Sequence, residues 1–185
     1  EQVLAIVTRL AEHHDNVLAT RADAAVTAAL RASGLPCRVH ESARLTRLVD
    51  QLLDLSRLQA GAAEPRADWI SLDEVIRAAL EDTGAAPDAV RLAIAPDLPL
   101  IRADATQLRR AFANLIENAL RYGAGHPVSV RAGVSGARIL MRVVDQGPGI
   151  SPAEQERIFM PFYGHGSGLG LAIVRGFVEA NGGHV

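Results

Sequence analysis

A single cysteine, Cys37, in 185 residues leaves no disulfide framework and no zinc site built on four thiolates. Lysine is missing altogether. The nineteen basic residues are all arginine, set against twenty-one acidic ones, and the formal charge is −2. Duplex nucleic-acid binders carry a strong basic excess, so no nucleic-acid partner is expected. No apolar run approaches the roughly 18 residues needed to cross a bilayer, and no secretory signal opens the sequence. Internal repeats are absent too. What is there is 49% hydrophobic and 22% charged, enough for one large domain or a smaller one with a helical appendage. The expected class is a soluble, intracellular, globular protein.

Two regions differ in periodicity. Leu45, Leu48, Leu52 and Leu55 recur in steps of three and four, and Val49 and Leu53 widen the stripe. Gly61 stands where a helix-ending glycine belongs. Val3, Leu4, Ile6, Val7 and Leu10 begin another amphipathic helix upstream. Such stripes suit a helical hairpin over residues 1–63 that pairs with a second copy as a homodimeric four-helix bundle. Packing onto the rest of the same chain is the alternative. A polar, proline-containing boundary follows at Gly61 to Asp68, and residues 68–185 mix helices with strands.

In that second region the pattern predicts a helix over 71–80 and strands over 90–95 and 100–102. Asp104 with Gln107 resembles a capping box opening a helix that runs to Tyr122. Strands are predicted over 128–132 and 138–144. Ser151, Pro152 and Glu154 form a second capping box, which predicts another helix there. A last helix spans 170–181 and stops at Gly182. Helices grouped against an antiparallel sheet make this an α+β domain.

Four short segments carry chemistry. Asn114 and Asn118 are four apart, so both amides point along one helical face, with Glu117 three from Asn114. That face is either a solvated surface or a holder for a hard, hydrated cation. Asp145-Gln-Gly147-Pro-Gly149 follows an apolar strand. It reads as a simple turn, or as a backbone that approaches a flat ligand while a buried Asp145 accepts from an exocyclic amine. Gly164-His-Gly166-Ser-Gly168-Leu169-Gly170 runs into a helix and offers backbone N–H groups to a phosphate chain. It lacks the Gly-Lys-Ser/Thr ending of a P-loop. Phe159 and Phe162 anchor a loop edge or pack in the core.

In chain order, Asn114 to Tyr122 resembles the N box, Asp145 to Gly149 the first glycine box, Phe159 to Phe162 the F box and Gly166 to Gly170 the second glycine box of the ATPase superfamily of gyrase, heat-shock chaperones, histidine kinases and mismatch-repair proteins. The F box and the run Leu53-Asp-Leu-Ser-Arg-Leu-Gln-Ala-Gly61 are similar to sensor histidine kinases. Ser71-Leu-Asp-Glu-Val-Ile76, Leu98-Pro-Leu and Arg175-Gly-Phe-Val-Glu-Ala-Asn-Gly-Gly183 resemble the Kdp-type, potassium-responsive members. The resemblance implies an α/β-sandwich ATP-binding domain behind the hairpin. It implies an enzyme that uses ATP and Mg²⁺ to phosphorylate its own histidine, and a response-regulator receiver domain as the next acceptor. By the same resemblance Asp145 binds the adenine amine and Asn118 contacts Mg²⁺. Asn114 lies beside the phosphates, Glu117 orients water or the cation shell, and Arg121 and Tyr122 line the cleft. Gly147, Gly149, Gly166, Gly168, Leu169 and Gly170 bring backbone to the ligand. The implied setting is the cytoplasmic part of a membrane-associated bacterial sensor.

Three features depart from the family. The acceptor motif is missing: His14-Asp15 has its first pair, but Asn16, Val17 and Leu18 do not continue it. The nucleotide lid between Tyr163 and Gly166 is too short to cover a triphosphate. The sequence stops at Gly182-Gly-His-Val185, where the family continues into further strands. We therefore expect the written sequence to join segments not contiguous in the parent protein, above all between Tyr163 and His165, and also near residues 20–26 and 36–40. If the joins are genuine, a non-catalytic, dimeric ATP-binding regulator is the alternative function. An anti-sigma serine kinase of the same superfamily is a third reading, disfavoured by the leucine-striped hairpin.

Overall fold

The computed structural model describes residues 39–164 and 167–185, with side chains from Leu45 onward. The upstream helix, His14 and the segments 20–26 and 36–38 lie outside the described residues, as do His165 and Gly166. The chain divides into two units between Leu53 and Asp54. Among the described residues no helix is long and apolar enough to cross a membrane.

Helix α1 spans Val39–Gln59. It ends as its glycine predicts: Gly61 adopts φ 65°, Gly61 N–H donates to the Leu58 carbonyl at 3.2 Å, and Ala62 N–H donates to Arg57 at 2.9 Å. This left-handed cap satisfies carbonyls that the helix itself leaves open. The leucine stripe does not act as one seam. Leu45, Val49 and Leu52 are exposed, whereas Leu55 is buried in the core of the second unit. Leu58 packs there too, so close to Gly176 that a Cβ at that glycine would lie 2.6 Å from the leucine.

The second unit contains β1 (Asp68–Ile70), α2 (Leu72–Thr83), β2 (Val90–Ile94), β3 (Ile101–Ala103), α3 (Ala105–Tyr122), β4 (Val128–Ser135), β5 (Arg138–Val144) and α4 (Gly170–Ala180). Ser71 caps α2 by accepting from Glu74 N–H, and Gly84 closes it in the left-handed region at φ 61°. The main sheet has order β2-β4-β5. It is mixed, which corrects the antiparallel expectation: β4 pairs antiparallel with β5 but parallel with β2. The parallel pair follows from the crossover through β3 and α3, a connection that returns the chain in the same direction. A second, two-stranded sheet pairs β1 with β3, with Trp69 opposite Arg102.

Alternation decides which face is inside. Val128, Val130 and Ala132 of β4 are buried and join Ile76, Phe112, Ile116, Ile173 and Phe177 in one core. Helices α2 and α4 both pack on α3, which also contacts β4 and β5. The helix expected at Ser151 is absent. Residues 152–156 form turns and only Arg157–Phe159 makes a 3-10 helix. The Ser151 hydroxyl donates to the Glu154 carboxylate at 2.5 Å, a side-chain bond with no helix to cap.

A candidate nucleotide site at the end of helix α3

Helix α3 opens on Asp104, whose Oδ1 accepts from Thr106 and Gln107 N–H at 2.9 and 3.0 Å. The expected reciprocal bond from Gln107 is not made. Instead Asp104 N–H donates to Asn181 Oδ1 at 2.7 Å, and Asn181 Nδ2 donates to Gln107 Oε1 at 2.8 Å. The Gln107 amide donates on to the Ala63 carbonyl at 3.1 Å. Asn181 stands 74 residues from Gln107, and nothing in the local sequence signals that meeting. This network fixes the start of α3 against the end of α4.

With its start held, α3 carries Asn114, Glu117 and Asn118 at one helical spacing, all half-buried, while Ile116 is fully buried behind them. Asn114, Glu117 and Tyr122 each engage a partner in the fold. Arg121 is exposed in the last turn, where a cation complements the helix dipole.

The loop after β5 closes onto this helix end. Asp145 Oδ1 accepts from Gly147 N–H at 2.8 Å, a local turn that folds the loop on itself. A Cβ at Gly147 would lie 2.5 Å from the Tyr122 carbonyl oxygen, and one at Gly123 would lie 3.5 Å from Asp145 Cβ. Asp145 and Gly147 are therefore packed against the last turn of α3, although more than twenty residues separate them in sequence. Asp145 is exposed, which corrects the expectation of a buried carboxylate. It sits just beyond the last residue of β5, past the end of the sheet. Gly149 adopts φ 78°, a conformation open to glycine, with open space around it.

The other glycine-rich segment braces the F-box turn. Gly168 (φ 63°) lies so close to Phe162 that a Cβ would sit 2.6 Å from its carbonyl carbon. Phe162 N–H donates to the Gly168 carbonyl at 2.9 Å. Leu169 is buried, and Gly170 starts α4. The two phenylalanines part ways: Phe159 is half-buried beneath the Arg175 guanidinium, 4.2 Å from its ring centroid. Phe162 is 68% exposed with a positive φ of 64°, so the pair is not a shared core anchor. Arg157 stacks on Tyr163 at 4.7 Å, and the Tyr163 hydroxyl donates to Glu154 at 3.4 Å. The Ser151 hydroxyl bond holds the Glu154 carboxyl below the usual carboxylate range. Sequence reasoning did not find Glu154, Arg157 or Arg175 as braces of this turn. Among the described residues no group of three or more His, Cys, Asp or Glu side chains is placed to hold a metal.

The fold is that of an ATPase-family domain with helices packed on one sheet face. The model of the histidine kinase-, DNA gyrase B-, and HSP90-like ATPase family matches residues 103–185. A second model, the LarB/PurE-like N-terminal domain, matches residues 1–50. The solved structure of the mycobacterial sensor histidine kinase MprB is 31% identical, with 63% of this chain and 80% of that one aligned at a TM-score of 0.54. The chain belongs to the sensor histidine kinases of that ATPase superfamily. It is similar to the sensor protein KdpD of Mycobacterium tuberculosis (strain ATCC 25618 / H37Rv), at 39% identity over 157 residues, 77% of this chain. The chain spans 18% of that relative's length. The full-length structure of ShkA in complex with AMPPNP is 32% identical, covering 76% of this chain and 32% of that one, at a TM-score of 0.66.

Proposed function

We propose that this chain is the ATP-binding and kinase portion of a two-component sensor of the Kdp type, which phosphorylates a histidine on its own helical region and passes the phosphoryl group to a response-regulator aspartate. The observation that carries the reading is the packing of Asp145 and Gly147 against Tyr122 and Gly123 at the end of α3. It joins the first glycine box to the asparagine helix, and the AMPPNP bound by ShkA supports ATP as the ligand.

Phosphoryl transfer asks the protein mainly for positioning and charge neutralisation. In this reading Asp145 accepts from the adenine amine. The amides of Asn114 and Asn118 face the phosphates and their Mg²⁺, and Glu117 holds a water in that shell. Oxygen donors from two amides and one carboxylate suit a magnesium ion that arrives with the phosphates and keeps most of its waters. When bound, that ion spreads the negative charge of the phosphates. The backbone N–H groups from Gly168 to Gly170 open α4 and favour an anion there. The exposed Leu45, Val49 and Leu52 stripe serves the homodimer, with Leu55 assigned to the core instead.

Radiolabelled ATP on the parent protein tests the reading. Acid-labile, base-stable label on the chain is the expected result. Tight ATP binding with no label on any histidine would make the dimeric, non-catalytic regulator the function.

A further inference from the structure

The three strands of the main sheet contain four arginines and not one acidic residue, in a chain whose charges are otherwise nearly balanced. All four stand on one face. Val128, Val130 and Ala132 turn inward, so the alternate residues of β4 turn outward, and Arg131 is among them. The register sets Arg131 directly opposite Arg142, Arg138 opposite Ser135, and Arg91 opposite Ser129. Each arginine is exposed, and Leu140 and Val144 lie between them on the same face, 43% and 50% exposed.

Like charges directly opposite across a strand pair destabilise a sheet. Charged side chains on edge strands are a common defence against unwanted strand pairing, and among the described strands that accounts for Arg91, Arg138 and Arg142. It does not account for Arg131, which stands on the central strand. A sheet face of arginine forks with apolar side chains between them has the composition of a protein-binding surface. None of the three strands supplies an aromatic residue to wedge into a lipid interface.

We propose that the outer face of this sheet is a docking surface for an acidic protein segment, whose carboxylates bridge Arg131 and Arg142 while Leu140 and Val144 supply apolar contact. The partner neutralises a repulsion that the free domain sustains. Nothing in this surface depends on the nucleotide site, which lies at the end of α3.

The test titrates the whole, isotope-labelled chain with a deca-glutamate peptide at low salt, read by amide chemical shifts. Shifts confined to β4, β5 and the Arg91 region are expected. Arg131→Gln/Arg142→Gln should weaken binding about tenfold or more, the loss of charge-assisted bonds, and should leave the fold at least as stable. If that variant fails to fold, Arg91→Gln/Arg138→Gln carries the same expectation. No binding, shifts elsewhere, or undiminished binding in both variants would overturn the proposal. So would binding to phosphatidylserine vesicles without binding to the peptide, which would make the occupant a membrane.

Discussion

Replacing Gly147 with alanine tests the junction on which the proposed nucleotide site depends. The added Cβ would lie 2.5 Å from the Tyr122 carbonyl oxygen and 2.8 Å from Asp145 Oδ1. Neither atom can yield cheaply, since one is helix backbone and the other is already bonded to the Gly147 amide. Reaching even the tightest contact that real Cβ atoms tolerate, 3.0 Å, requires the loop to retreat by about 0.5 Å. That retreat lengthens the Asp145–Gly147 hydrogen bond and pulls the carboxylate off the end of α3. Overpacking of this size costs about 1–3 kcal/mol. For a unit of this size each kcal/mol lowers Tm by about 3–5 °C. In the nucleotide reading the displaced Asp145 also loses its aim, a further tenfold or more in ATP affinity. Thermal unfolding and calorimetric ATP titration measure the two effects separately. An alanine variant with unchanged Tm and unchanged affinity would refute the packing argument. A lowered Tm with unchanged affinity would detach the junction from nucleotide binding.

Asp145→Ala removes the carboxylate that also accepts from the Gly147 amide, but adds no atom at the helix contact. Calorimetry should show ATP affinity falling about ten- to hundredfold, while loss of the exposed turn bond, about 1 kcal/mol, lowers Tm by only about 3–5 °C. Asp54 is 5% exposed and paired with Arg110, whose side chain is 43% exposed. Arg110→Met removes the ion-pair partner of a buried carboxylate and should cost about 2 kcal/mol in denaturant titration, whereas Asp54→Asn leaves an arginine that water can reach and should cost about half as much. The lowered Glu154 pKa gives the Ser151–Glu154–Tyr163 tie a stabilising effect present above the ordinary carboxylate range and lost as pH falls through it. Thermal unfolding followed from about pH 6 to pH 3 should therefore show a smaller acid loss in Glu154→Gln than in the parent, and parallel curves would remove Glu154 from the account. Leu52→Glu should yield a monomer in sedimentation while ATP still binds, and a dimer that persists would shift the interface elsewhere.

Much of the fold is written locally. Ser71 and Asp104 carry short side-chain oxygens that bond the first free amides of a helix, and Gly61, Gly84 and Gly182 take the left-handed turns that end one. Those are neighbour-range interactions, so sequence alone places α2, α3, the end of α1 and α4. The alternation of Ile139, Met141 and Val143 likewise declares β5 and its inner face. The order of the four motifs was enough to indicate the family. Other features depend on partners far along the chain. The parallel pairing of β2 with β4 is set by where the α3 crossover lands, and no property of either strand encodes it. Leu55 repeats the spacing of Leu48 and Leu52, yet it is buried with the core of the second unit, because spacing fixes a helical face and not what covers it. Gln107 turns from a cap to Asn181 because that amide, 74 residues on, arrives within hydrogen-bond reach. The resemblance made Asp145 a candidate ligand to adenine. That it stands exposed on the last turn of α3, with Gly147 wedged against Tyr122, was decided by tertiary packing, since a carboxylate's burial depends on which elements close around it.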